Sequence, residues 1–115
     1  MPVVKVFTSA KIPENFEVLL AQTLAKSMGK PAENIFVVLD GNSRVCRGID
    51  NKQQFAVVEI TSNTGLTRDA NEFHTIEICK LFQVKLNLTP QQVLINYFPI
   101  SADMIGYNGH VLAKS

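Results

Sequence analysis

The chain is 115 residues long, 46% hydrophobic and 18% charged, with a formal net charge of +1. That length suits one domain, residues 1–115, with a real core, and is small enough for subunit association to contribute to stability. The balanced charge gives no electrostatic case for binding nucleic acid or anionic membranes, and no apolar run is long enough to span a bilayer. The start has no basic segment followed by an apolar one, so no secretory signal peptide is read. Cys46 and Cys79 are far apart, without metal-type or redox-type spacing, which fits a reducing, cytoplasmic compartment.

Pro2 comes first in chain order and matters most. Methionine aminopeptidase removes Met1 when the next side chain is small. The mature chain then begins with a prolyl secondary amine, whereas inside a chain proline nitrogen is an amide without a proton. An amino terminus titrates near 7.7–8.0, and burial lowers that value because it disfavours the charged form. A terminal proline entering the apolar strand Val3-Val4-Lys5-Val6-Phe7 is therefore a candidate general base. Taken alone, Met-Pro is a short and unspecific motif.

A helix is expected next, entered near Pro13. Phe16, Leu19, Leu20, Thr23, Leu24 and Met28 lie on one helical face, and Gly29 suits the C-terminal cap. Ile35-Phe36-Val37-Val38-Leu39 is a nearly continuous apolar run, as in a strand covered on both faces. The second half repeats the plan. Phe55 to Ile60 reads as a strand, and Asp69 with Glu72 resembles a capping box opening a helix. Thr75, Ile78, Cys79, Phe82 and Leu86 form that helix's buried face, and Val93 to Phe98 reads as a closing strand. The helix exits match too, with Lys30–Ile35 paralleling Leu88–Val93. The tail, Gly106 to Leu112, carries the hairpin signal Asn108-Gly109.

The implied fold is α+β: a tandem βαβ repeat, a four-stranded sheet and both helices on one face. Nothing in the chain is left to cover the other sheet face, so oligomerisation is expected to do so.

Taken together, the Met-Pro start, Gly29-Lys30-Pro31, Ile95-Asn96-Tyr97 and Ile105-Gly106-Tyr107 resemble the macrophage migration inhibitory factor family. That family includes a D-dopachrome tautomerase branch. The resemblance runs from Met1 to about Leu112 and has an invertebrate, nematode-like character. It implies a homotrimer whose sheets line a central barrel, with active sites at the subunit interfaces. It also implies cofactor-free keto–enol tautomerisation of small aromatic compounds such as phenylpyruvate or D-dopachrome derivatives. Some members are secreted as cytokine-like signals without a signal peptide.

By position, the resemblance makes Pro2 the catalytic base and Lys30 the binder of a substrate carboxylate or carbonyl oxygen. Asn63 falls where the family contacts substrate through a backbone group, usually of isoleucine. Asn96 matches an asparagine reaching in from the neighbouring subunit, and Ile105 and Tyr107 match pocket walls. Two departures bear on substrate choice. Leu94 stands where the founding member has a ligand-binding tyrosine; the D-dopachrome branch shares that leucine but has arginine where this chain keeps Asn96. Asn63 in place of isoleucine adds a polar group to a usually apolar wall. The Cys-x-x-Cys of some members is replaced by Phe55-Ala56-Val57-Val58, so no oxidoreductase role carries over.

Each residue also has a plainer reading. Lys30 suits a solvated position after a helix, Asn96 suits backbone satisfaction, and Tyr107 suits interface packing. Cys79 reads as a small core hydrophobe, and Cys46 reads as structural. His74 falls off the expected helical face and His110 falls in the hairpin; neither has metal-ligand company, so no metal is assigned. Two function classes follow: a tautomerase, or a signalling ligand that engages a cell-surface receptor and retains a vestigial pocket.

Overall fold

The computed structural model describes residues 1–112. The central elements are β1 (Val3–Thr8), α1 (Phe16–Met28), β2 (Phe36–Asp40), β3 (Ala56–Ser62), α2 (Arg68–Leu86) and β4 (Val93–Pro99). The tail forms a hairpin of β5 (Gly106–Tyr107) and β6 (His110–Val111). The sheet order is β2-β1-β3-β4. Each βαβ unit supplies a parallel pair, β1 with β2 and β3 with β4, and the units meet antiparallel along β1 and β3. This is the tandem architecture that the half-repeat implies.

Both helices pack on one face of the sheet. Phe16, Leu20 and Leu24 of α1 join Ile78, Phe82 and Leu86 of α2 over Val4, Val6, Val58 and Ile60. The rings of Phe16 and Phe82 meet edge to face, with centroids 5.4 Å apart, an arrangement that favours the aromatic quadrupoles. The matched helix exits are matched in structure as well. A short 3-10 turn, Ala32–Asn34 or Pro90–Gln92, delivers the chain into β2 or β4. In the tail, Asn108 and Gly109 both have positive φ (54° and 78°), as the tight hairpin turn requires.

Local chemistry moves three sequence-based expectations. Helix α1 starts at Phe16, not near Pro13, because Asn15 turns into the left-handed region at φ 66° and the Phe16 N–H donates to the Pro13 carbonyl. Helix α2 is capped by Thr67, whose hydroxyl accepts from the Ala70 N–H at 3.2 Å. Asp69 therefore lies inside the first turn, where its charge suits the helix dipole. His74 lies on the buried face, only 2% exposed, because the face runs through 74, 78, 82 and 86 in steps of four residues.

The other sheet face is open. Pairing aligns Phe36–Val3–Thr61–Phe98, then Val38–Lys5–Glu59–Asn96, then Asp40–Phe7–Val57–Leu94 in three cross-strand rows. Phe36, Val38, Leu94 and Phe98 are 46–58% exposed on it. In the single chain the apolar run in β2 thus has one covered face and one bare face. A broad apolar sheet face exposed in this way is characteristic of an association surface.

Candidate active site

Strand β1 is anchored by the residue just before it. Pro2 is buried, and its carbonyl accepts from the Phe36 N–H at 3.0 Å, which extends the β1–β2 ladder to the chain start. The terminal amine on Met1 donates to Asn63 Oδ1 at 3.0 Å. Asn63 follows directly on β3, the strand paired with β1. Sheet pairing therefore brings residues 62 positions apart into contact.

Lys30 reaches the same place from the helix layer. Gly29, with φ 65°, ends α1 in the left-handed conformation, and the Lys30 N–H then caps the Ala25 carbonyl at 2.9 Å. That geometry suits glycine. The Lys30 ammonium donates to the Thr64 hydroxyl, next to Asn63. The terminal amine has its pKa lowered, first by burial and then by the Lys30 charge. Both effects disfavour a second positive charge. A cation and a weakly basic amine thus share one small region.

The turn that carries Asn63 is fixed from beneath. The buried Ser62 hydroxyl donates to the Thr64 carbonyl at 2.7 Å and accepts from the Thr64 N–H at 3.3 Å. The Ile100 N–H bonds the Ser62 carbonyl at 3.0 Å. His74 Nε2 lies 2.9 Å from the Gly65 carbonyl and donates to it, while Nδ1 meets the Ser27 hydroxyl. The carbonyl can only accept, so Nε2 carries a proton; in the neutral imidazole Nδ1 then accepts from the Ser27 hydroxyl.

Tyr107 joins through an intermediary. Its ring meets that of Phe36 edge to face, with centroids 6.1 Å apart, and Phe36 is the residue bonded to Pro2. Ile105 lies at the base of the tail hairpin. Its N–H donates to Ala102 and its carbonyl accepts from Leu112. Asn96 is not part of this group in the single chain. It lies on the open sheet face in register with Glu59 and Lys5.

Sequence reasoning missed Thr64, Phe36 and His74 as members of this neighbourhood. The four-residue spacing of His74 with Ile78, Phe82 and Leu86 was a usable signal for the last. No comparable signal marks Thr64. A separate cavity of about 440 Å³ lies between Val45–Arg47, Phe55–Val57 and Pro90–Leu94. It sits at the far end of the sheet, because Val57 and Leu94 register with Phe7 rather than Val3. Among the described residues no group of three or more His, Cys, Asp or Glu side chains could hold a metal ion. No helix among them is long and apolar enough to cross a membrane.

A two-unit mixed sheet with both helices on one face, and a lysine beside a buried chain start, defines a class of protein. The sequence model of the macrophage migration inhibitory factor family matches residues 1–113, and the chain belongs to that family. It is 44% identical over 116 residues to the MIF-like protein mif-3 of Caenorhabditis elegans, covering all of this chain and 79% of that protein. It is 30% identical over 118 residues to mif-2 of the same nematode, covering all of this chain and 98% of that one. The nematode-like character read from the sequence agrees with these relatives. The migration inhibitory factor structure from Oncomelania hupensis superposes with a TM-score of 0.91 at 24% identity, covering 97% of this chain and 83% of that one. Family membership supports a tautomerase or cytokine-like role.

Proposed function

We propose that the chain is a cofactor-free keto–enol tautomerase of small aromatic carbonyl acids, acting as a homotrimer. Met1 is removed, and the freed Pro2 amine is the base that moves a proton between carbon and oxygen. Lys30 stabilises the carboxylate or the developing oxyanion, the usual task of a fixed cation near a reacting carbonyl. Asn63 contacts the substrate from the turn after β3. Asn96 comes from a neighbouring subunit, and Ile105 and Tyr107 wall the pocket. The observation that carries this reading is geometric: Pro2 is buried at the chain start, and Asn63 and Lys30 reach the same small region. Burial and the Lys30 charge lower the pKa of the Met1 amine there, and a prolyl amine freed at that place is expected to feel both. A base must be neutral to accept a proton, so a lowered pKa keeps it competent at lower pH.

The open apolar sheet face and the placement of Asn96 on it support the trimer. A face shared around a closed ring buries the exposed phenylalanine, valine and leucine side chains. The second reading is a cytokine-like signal engaging a cell-surface receptor with a vestigial pocket. Exposed Phe73, Ile76 and Val84 on the outer side of α2 favour it.

The test is a pH–rate profile of the processed protein, run beside a form in which Met1 is retained. The processed form is expected to turn over, with kcat/KM rising through a pKa below that of an ordinary chain terminus. The Met1-retained form, whose proline nitrogen is an amide, is expected to be inactive. Equal activity in both forms would sink the assignment.

A further inference from the structure

Lys30 and Asn63 come from different layers of the fold. Lys30 follows the end of α1, whereas Asn63 and Thr64 lie in the turn after β3. One buried side chain is bonded to both elements. His74, on α2, meets the hydroxyl of Ser27 in the last turn of α1 through Nδ1, and donates from Nε2 to the Gly65 carbonyl at 2.9 Å. It is only 2% exposed, so bulk water does not compete for either bond. An imidazole is a rigid ring whose two nitrogens bond in diverging directions, so it fixes a spacing that a flexible side chain would not.

Gly65 is also where Lys30 rests. Its φ of 79° suits glycine, and a Cβ at this position would lie 3.9 Å from Lys30 Cε. The Lys30 stem therefore runs over the main chain that His74 holds. The direct contact between the ammonium and the Thr64 hydroxyl is exposed, and a bound acid group competes for the same ammonium. The separation of α1 from the turn is thus left to the buried imidazole. That separation matters chemically, because the attraction or repulsion between charges falls with distance, and the Lys30 charge acts on the terminal amine.

We propose that His74 is a positioning residue: by tying α1 to the turn after β3, it holds the Lys30 cation within reach of the proline base and of a substrate carboxylate. The inference rests on reading Pro2 as the base and Lys30 as the cation, but one of its readouts needs no turnover. Without the imidazole, the strongly hydrated Lys30 ammonium moves outward to water.

Phenylpyruvate and its methyl ester are the probes, because only the acid offers Lys30 a carboxylate. His74→Phe keeps a ring of similar size and removes both hydrogen bonds. It is expected to lower kcat/KM for the acid roughly tenfold to a hundredfold, mainly through KM, and to affect the ester much less. His74→Gln, with one donor and one acceptor, is expected to recover most of the loss. The pKa of the prolyl amine, read by carbon-13 NMR on the processed protein without substrate, is expected to rise in His74→Phe, since a more distant cation opposes protonation less. If His74→Phe folds poorly, Ser27→Ala, which cuts only the bond to α1, is expected to move both readouts the same way by less. Equal losses for acid and ester, or an amine pKa that does not rise, would overturn the proposal. A wild type that turns over neither compound would remove the catalytic reading, and the amine pKa alone would then decide this one.

Discussion

His74 ties three segments together at the residue scale. Its imidazole links α2 to the Ser27 hydroxyl of α1 and to the Gly65 carbonyl in the Asn63–Gly65 turn. Removing it leaves a carbonyl and a hydroxyl short of partners and opens a hole beside Tyr97, whose ring centroid lies 6.3 Å away. His74→Ala is expected to cost about 2–3 kcal/mol, and His110→Ala, on the exposed hairpin, within about 0.5 kcal/mol. Urea titrations of the two variants provide the check. Similar midpoints would mean that the His74 contacts contribute little. The sequence singled out Pro2, Lys30 and Asn63 because each falls on a position of the family pattern, and the fold brings them to one region. Thr64 and Phe36 were not, because their roles depend on which strand ends adjoin. Alternation and helical spacing do not encode that.

At the element scale the sequence placed each central helix and strand to within a few residues, and the errors share a cause. Hydrophobic spacing locates a helix well, whereas its ends are set by single hydrogen bonds that compete closely. The sequence reading placed the cap at Asp69, whereas Thr67 two residues earlier is also a residue type that caps helices. The threonine won because its extended backbone, φ −131° and ψ 167°, aims the hydroxyl at the Ala70 N–H. Thr67→Ala is therefore expected to destabilise the protein by about 1 kcal/mol, while Asp69→Ala loses only a smaller dipole contribution of about 0.3–1 kcal/mol, screened by salt. Thermal melts at low and high salt separate the two, since only the Asp69 effect should shrink with salt. A salt-sensitive loss in Thr67→Ala together with a salt-insensitive one in Asp69→Ala would restore the carboxylate as the cap. The apolar run in β2 has one face bare in the single chain, the face that the sequence already left to oligomerisation.

The whole molecule has one well-filled side and one bare one. The helix layer and the inner sheet face make a closed core, whereas Phe36, Val38, Leu94 and Phe98 remain on the outer face. Asn96 shares that face, away from the terminal amine, Lys30 and Asn63. If three copies close a ring over these faces, the site near each Pro2 takes its Asn96 from a neighbour. A site divided in this way is open to complementation.

The most direct test mixes two inactive versions. One carries an alanine inserted after Met1, so that the Pro2 nitrogen stays an amide. The other is Asn96→Glu, which sets a like charge against an acidic substrate. After unfolding, equal mixing and refolding, about a quarter of the sites in random trimers pair a free Pro2 with an intact Asn96 from the next subunit. The account predicts that tautomerase activity returns in the mixture to about that fraction of wild type. No recovery in well-folded mixed trimers, or full activity in a monomer, would contradict it.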